Sequence, residues 1–351
     1  MYKRRFHLEK SPFAMTPDPS LLYLTPSHRE ALSGLVYALM ERKGFVVVTG
    51  EAGTGKTTLL SRLLQHAEDS ANFSLVLNPT LNPSEFLESA LEDFGITDIP
   101  SSKVQRLQKL HHFLIASHLK GKTCVLVADE AQKLAPEVLE EIRLLTNFET
   151  ADHKLLQIVL VGQEELRNIL NREDLRQLKQ RIAFRFELKP LSFKEVDAYL
   201  HFRWTATGGQ ELPFEPESIR MIARASRGVP RVINSICDNA LLLIYAADAP
   251  AVTGHHIRQV MADLDIKDPG SVSVPTPDAI NSSTSPKRNL QGVSTTTQAT
   301  VEIPKPVAMP AVMAPLRLAT LDRYLPREPM PSWWLRWAER LRIGELARRP
   351  L

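Results

Sequence analysis

The sequence predicts an α/β protein, a parallel sheet covered by helices, followed by a small all-α domain. Three observations carry this. Short apolar runs alternate with helical patterns between Phe45 and Leu188, the order expected of strands and crossover helices in one layered sheet. A glycine-rich loop, Gly50–Thr57, falls between one such run and one such helical pattern. After Pro190 the runs stop and four helical patterns follow.

Residues 1–26 are irregular and proline-bearing. A helix start comes next, with Thr25 as N-cap, Pro26 at the first helical position and Ser27-x-x-Glu30 as a competing capping box. Leu32, Leu35, Val36 and Leu39 then recur at helical spacing over 27–42. The runs Phe45–Thr49, Phe73–Leu77, Cys124–Ala128 and Gln157–Val161 are short and apolar-rich, as strands buried on both faces of a parallel sheet should be. Ala183–Leu188 alternates polar and apolar residues, which suits an edge strand. Helical patterns fill the gaps at Thr57–His66, Ser84–Phe94, Lys103–Leu119, Pro136–Thr146 and Glu164–Asn171, and beyond Pro190 at 192–206, 216–226, 230–247 and 254–264.

These elements divide the chain into a sheet domain over 1–190 and a helical domain over 191–268. Residues 269–351 hold 12 of the 25 prolines and no periodic pattern until near the end, so 269–325 is expected to be a disordered linker. In 326–351, Trp333, Trp337 and Leu341 share a helical stripe, with Arg336, Arg340, Arg342, Arg348 and Arg349 around it. That pattern predicts a short basic amphipathic helix.

Bulk composition removes several classes. Hydrophobic residues at 43% and charged residues at 24% are ordinary for a globular protein. A net charge of +3 is too small to argue for nucleic acid by itself. The two cysteines, Cys124 and Cys237, sit in apolar or helical patterns and read as buried thiols in a reducing cytosol. The basic N-terminus has no apolar core, and no window of 18 apolar residues occurs. Neither a signal peptide nor a transmembrane helix is expected.

The loop Gly50-Glu51-Ala52-Gly53-Thr54-Gly55-Lys56-Thr57, with Thr58 after it, matches G-x-x-x-x-G-K-[ST]. Glycines let the backbone turn its N–H groups inward onto phosphate oxygens. The following helix starts at the phosphates, and its dipole favours an anion there. Lys56 is suited to the β- and γ-phosphates of ATP, and the Thr57 hydroxyl to Mg²⁺. A chance match occurs in roughly one chain of this length in a hundred, and the strand-before, helix-after context makes chance rarer still. A second apolar run ends in Asp129-Glu130. Carboxylates at the C-terminal end of a strand face the ligand crevice of an open α/β sheet. Asp129 would complete the Mg²⁺ shell, and Glu130 would act as general base on water. The bland alternative is a pair of surface carboxylates ending a strand. Gln163 ends a further strand, where it either reaches the γ-phosphate and water or caps the next helix. Arg181 lies between a helix and the last strand, and Arg231 opens a helix of the second domain.

The chain resembles the AAA+ ATPases of the general secretion pathway protein A type, with transposition ATPases more distant. The likeness spans about residues 1–265. It rests on Pro12-Phe13, Pro17-Asp18-Pro19, Tyr23-Leu24 and Ser27–Leu32, on Gly50–Thr57, and on Leu126–Ala131 with Gln132 after it. Val161-Gly162-Gln163, Leu175–Leu178, Gln180-Arg181-Ile182 and Gly228–Arg231 complete it. The resemblance implies a P-loop NTPase with a five-stranded parallel sheet core, a helical lid, ATP hydrolysis and homo-oligomers. By position it implies that Gln163 is sensor 1, that Arg231 is sensor 2, and that Arg181 is the finger given to a neighbouring subunit, with Arg176 in reserve. For Arg181 the plain alternative is a helix-end arginine answering the helix dipole. The family puts the adenine pocket near Tyr23–Ser27. Its proteins continue through a membrane span into a peptidoglycan-binding region, patterns this sequence does not contain.

Three functions compete. One is an ATPase motor in envelope or secretion-related assembly, cytoplasmic or peripheral at the inner membrane. Its Trp/Arg tail would dock on a protein partner or membrane surface, or fold back on the lid. The second is an ATP-dependent DNA-binding regulator, disfavoured by the near-neutral charge. The third is a nucleotide-binding scaffold, against which the complete Asp129-Glu130 pair speaks.

Overall fold

The computed structural model describes residues 2–67, 69–76, 78 and 80–267. The linker and the Trp/Arg helix expected over 269–351 lie outside the described residues. In chain order the elements are α1 (Tyr2–Arg5), α2 (Pro26–Met40), β1 (Phe45–Gly50), α3 (Lys56–Ala67), β2 (Ala71–Val76), α4 (Pro83–Asp93), α5 (Lys103–Leu119) and β3 (Thr123–Ala128). Then come α6 (Pro136–Leu145), β4 (Leu156–Gly162), α7 (Glu164–Ile169), α8 (Arg176–Gln180) and β5 (Phe184–Leu188). The last four are α9 (Phe193–Thr205), α10 (Pro216–Ser226), α11 (Pro230–Ala246) and α12 (Gly254–Asp263).

The five strands form one sheet in the order β2-β3-β4-β1-β5, and every pairing is parallel. The middle strands are buried almost without a break, whereas β5 alternates buried and exposed positions, as an edge strand does. Side-chain alternation divides the core into two layers. Phe45, Val47, Leu126, Ile158 and Leu160 face α4, α5 and α6, through Phe86, Leu87, Leu110, Leu114, Leu139 and Ile142. Val46, Val48, Val125, Val127, Val159 and Val161 face α2 and α3, through Leu35, Ala38, Leu59 and Leu63. One buried polar residue interrupts the apolar run of β4. Gln157 answers its own burial by accepting from Gly44 N–H at 2.6 Å and donating to the Lys154 carbonyl at 3.0 Å.

Thr25, not Ser27, caps α2. Its hydroxyl accepts from His28 N–H at 3.3 Å, and Pro26 fills the first turn, where a missing N–H costs nothing. The Ser27 hydroxyl lies instead against Thr25 Oγ1 and Lys189 N–H, so the competing capping box does not form. His28 is buried and bridges two elements. Nδ1 meets Thr25 Oγ1 at 2.7 Å, and Nε2 meets the Thr54 carbonyl at 3.0 Å. A carbonyl only accepts, so the neutral ring carries its proton on Nε2.

The C-terminal helices pack around Leu200, Trp204, Ile222, Ile233, Ile236 and Leu241. Tyr2, Leu8 and Phe13 belong to the same core although they open the chain. A 1–190 boundary for the sheet domain therefore sends its first residues into the helical layer. Tyr2 Oη donates to Asp238 Oδ1 at 2.5 Å. Arg203, buried on α9, donates to the carbonyls of Pro12 at 2.5 Å and Leu21 at 3.3 Å.

Two predictions follow from this packing. Phe13 is fully buried and Met40 is 63% exposed. Phe13→Ala should cost about 3–5 kcal/mol and lower the melting temperature by on the order of 10 °C, while Met40→Ala stays within about 0.5 kcal/mol. Equal melting temperatures would show that the N-terminal segment is not part of the core. The second concerns His28, whose burial holds its pKa below the ordinary 6.5, against the raising effect of the Thr54 carbonyl. Below pH 6.5 the unfolded chain takes up a proton that the folded chain refuses. Stability present above that pH is therefore lost as pH falls from there toward the lower folded-state value, with a slope of up to about 1.4 kcal/mol per pH unit. In thermal melts, His28→Gln should flatten this slope.

Candidate functional site

The strand order decides where the site lies. All strands are parallel, so β1, β3 and β4 end on one edge of the sheet, with β4 between the other two. Val48 pairs with Val161 and Thr49 with Gly162, and Ala128 pairs with Leu160. Gly50, Asp129 and Gln163 consequently leave the sheet side by side.

After β1 the chain curls through Gly50–Gly55 into α3. Gly53 and Gly55 have φ of 85° and 98°, a region that side chains other than glycine's adopt at a cost. Thr54 Oγ1 donates to the Glu51 carbonyl at 2.8 Å and closes the curl. Glu51 and Ala52 form its exposed crown, and Thr58 follows half-buried on α3. Lys56 is buried at the first turn of α3, and its Nζ donates to the carbonyls of Gly50 at 2.8 Å and Glu51 at 3.0 Å. Burial pulls the Lys56 ammonium below its usual pKa. Glu130 and Asp129 oppose that effect, and Arg231 adds to it.

Across the crevice, Asp129 Oδ2 accepts from Thr57 Oγ1 at 3.0 Å, and its Oδ1 accepts from Glu130 N–H at 2.8 Å. Glu130 is left-handed, with φ 52°, an unusual conformation that clusters at functional sites. Its Oε2 meets Gln132 Nε2 at 2.9 Å, Lys133 Nζ at 3.1 Å and Gln163 Nε2 at 3.4 Å. Partial burial raises the Glu130 pKa, but the contacts from Lys133, Gln132 and Gln163 outweigh it and hold the carboxyl below its usual value.

A cavity of about 530 Å³ opens above the loop. Its floor is Gly53–Thr58 with Glu130, Lys133 and Gln163, and its far wall includes Met15, Pro17, Leu22, Tyr23 and Tyr199. The polar floor suits a polyphosphate and the apolar wall suits a base. The donor set also fits a magnesium ion. A hydroxyl and a carboxylate 3.0 Å apart supply two hard oxygens, and this ion completes its shell with water and phosphate oxygens. The curled loop and the buried ammonium fit the triphosphate for the same kind of reason.

The structure brings together most of the residues singled out from sequence, but not all. Gln163 touches Glu130, and α7 receives no side-chain cap from it. Arg231 starts α11 against the loop, and its N–H donates to the Gly53 carbonyl at 3.3 Å. Arg181 stands apart. It ends α8 just before β5 begins, at the opposite edge of the sheet, where its charge acts on Glu149. Arg176 is exposed at the start of α8. Neither lines the cavity of its own chain. Sequence reasoning gave no separate role to His28 or Gln132, or to the wall residues Met15 and Tyr199. For His28 the available signal was its place three residues after a capping threonine.

Residues 39–170 match the AAA domain family. General secretion pathway protein A of Aeromonas hydrophila is 42% identical over 277 residues, covering 77% of this chain and 50% of that protein. The chain thus spans about half the length of this curated relative. ATP-dependent target DNA activator B of Escherichia phage Mu is 25% identical over 72% of this chain and 76% of that protein. Among solved structures, Cdc6p from Pyrobaculum aerophilum matches with a TM-score of 0.58 and 20% identity, over 72% of this chain and 70% of that one. The Aeropyrum pernix ORC2 protein matches with a TM-score of 0.56 and 17% identity, over 73% and 72%. At those identities the solved structures speak for the fold. No helix among the described residues is long and apolar enough to cross a membrane. With the parallel sheet, the curled lysine loop and the acidic strand tip in place, the chain has the P-loop NTPase fold, matches the AAA domain family over residues 39–170, and is similar to general secretion pathway protein A and more distantly to the phage target DNA activator.

Proposed function

We propose that this chain hydrolyses ATP with Mg²⁺ and uses the cycle to move its helical lid in envelope or secretion-related assembly. One observation carries the hydrolytic part. Asp129 and Glu130 leave β3 beside the Lys56 loop, with Asp129 bonded to Thr57 at 3.0 Å. In this reading the loop amides and Lys56 grip the triphosphate. Thr57 and Asp129 would hold the metal ion, which when bound neutralises phosphate charge. Glu130 accepts the proton of the attacking water, a role its ionised carboxylate suits. Gln163 orients that water from the β4 tip, and Arg231 reaches from α11 to the terminal phosphate.

Arg181 has no part in its own chain's cavity. It fits a finger given to the next subunit of a homo-oligomer, and Arg176 is the second candidate. A finger in trans is worth on the order of 10³–10⁵ in rate, or about 4–7 kcal/mol of barrier, which would tie hydrolysis to assembly. The place of work is the cytoplasm, with the Trp/Arg tail as a link to a partner or to the inner membrane surface. The likeness to general secretion pathway protein A supports the secretion role.

The likeness to a target DNA activator favours a second reading, ATP-dependent DNA binding. DNA titrations across a range of salt separate the two. Phosphate contacts require affinity to fall steeply with salt, and the motor reading expects no specific binding at physiological salt.

Lys56→Ala should abolish ATP binding. Glu130→Gln should bind ATP with near wild-type affinity and lose turnover by about 10²–10⁴-fold. Steady-state hydrolysis and equilibrium nucleotide titration measure both. If the two variants hydrolyse at the wild-type rate, the enzyme reading is wrong.

A further inference from the structure

The turn after β3 carries a side chain that the hydrolytic scheme has not used. Glu130, at φ 52°, turns the chain into a single 3-10 turn, Ala131–Lys133. That turn sends Gln132 back toward β4. There its amide makes two hydrogen bonds of opposite sense. Nε2 donates to Glu130 Oε2 at 2.9 Å, and Oε1 accepts from the backbone N–H of Gln163 at 3.0 Å. The chemistry of the partners fixes the amide's orientation, since a carboxylate only accepts and a backbone N–H only donates.

The neighbouring backbone is shaped for this amide. The β1–β4 ladder ends at Thr49 and Gly162, so Gln163 N–H leaves the sheet beyond the last strand pair, and Gln132 supplies its acceptor. A Cβ on Gly162 would sit 2.7 Å from Gln132 Oε1, closer than real Cβ contacts allow. Glycine at the end of β4 thus leaves room for the Gln132 carbonyl oxygen and for Leu166, whose Cδ2 would lie 2.9 Å from the same Cβ. Gln163 Nε2 also approaches Glu130 Oε2, at 3.4 Å. Lys133 meets the same oxygen from the exposed side at 3.1 Å. Among the described residues these contacts all fall on Oε2 of Glu130.

We propose that Gln132 is a positioning residue, a side-chain bridge that locks Glu130 to the β4 tip so that the carboxylate and Gln163 act in one register. It touches no reacting atom and works through Glu130. The proposal rests on the hydrolytic reading for its consequence, but the bridge has a readout of its own. A bridge of this kind changes rate more than nucleotide binding. Lys56, Thr57 and the loop amides make the grip on phosphate, whereas a general base displaced by about 1 Å costs on the order of 10²-fold in turnover.

The test uses the full chain and two replacements. Gln132→Met keeps length and removes both hydrogen bonds. Gln132→His can restore a donor and an acceptor on one flat ring. Turnover should fall on the order of 10²-fold in the Met variant, with the Kd for ATP within about twofold of wild type, and return most of the way in the His variant. Hydrogen exchange at the Gln163 backbone amide reads the bridge without catalysis. Gln132→Met should speed it by about tenfold or more, the loss of one hydrogen bond. Glu130→Ala should speed it as well, because the freed amide loses its anchor. If the Met variant turns over within about threefold of wild type, or loses ATP affinity as much as rate, the positioning role is overturned. Wild-type protein that binds ATP without hydrolysing it would defeat the enzyme reading instead. In that event, an exchange rate at Gln163 that ignores both Gln132→Met and Glu130→Ala would overturn the bridge as well.

Discussion

Lys56 holds a positive charge where water barely reaches it, and much of the site follows from that requirement. An uncompensated buried ion costs several kcal/mol, so the loop must curl until its own carbonyls meet the ammonium. It does so with Gly50 and Glu51, at 2.8 and 3.0 Å. Those are neutral partners, and they return only part of the solvation lost. The carboxylates of Asp129 and Glu130 supply the rest of the field, and they raise a pKa that burial lowers. They can do this only because the strand order puts β3 one strand away from β1, with β4 as spacer. A sheet in which these strands ran antiparallel would send the acids to the opposite edge. Electrostatics at one side chain and topology of the whole sheet are in this sense a single constraint.

The same constraint made the sheet and the loop readable from sequence. A strand buried on both faces admits a polar side chain only where partners await it, as at Gln157, so β1, β3 and β4 appear as apolar-rich runs. The edge strand β5 shows its exposed face as Arg185 and Glu187 between Phe184, Phe186 and Leu188. The loop was legible because phosphate binding restricts residue type at several fixed positions at once. Asp129 and Glu130 were legible because the phosphate loop lies upstream of them, since two acids ending a strand are by themselves also an ordinary surface feature. Where these pressures relax, the sequence says less. Residues 2–13 pack into the helical core through Tyr2, Leu8 and Phe13, three apolar residues with no common period, so no pattern marks them.

Gln132 and His28 were hidden for a different reason. Each is a common polar residue whose meaning lies in what another segment brings to it. Gln132 matters because the β3–β4 register places the β4 tip beside the turn that follows β3. His28 matters because α2 starts behind the loop, so one ring joins Thr25 to the Thr54 carbonyl. Neither contact has a local signature, since the partners are 31 and 26 residues away. Arg181 is the converse case. Its sequence position suggested a role at a nucleotide, and the fold removes it from the nucleotide of its own chain. The finger proposed for it would act on a neighbouring subunit, and the plain alternative is an arginine answering the end of α8.

The path from loop to lid runs through backbone, and this limits how the two can move. Arg231 N–H donates to the Gly53 carbonyl at 3.3 Å, and a Cβ at Gly53 would lie 2.7 Å from Arg231 Cβ. The first turn of α11 therefore rests on the loop itself, without a long side chain between them to absorb a shift. α11 contributes Ile233, Ile236, Cys237 and Leu241 to the helical core, and close-packed cores move as bodies and do not deform gradually. Tyr2 and Arg203 tie the N-terminal segment to that body. This segment carries Met15, Leu22 and Tyr23 of the cavity wall. A nucleotide that changed the shape of the loop would press on the lid at Arg231 and on the wall that faces its base together. Only a ligand that binds two arrangements with different affinity can shift the balance between them. Here the phosphate end and the base end of one ligand would report to the same packed body, so their preferences would add.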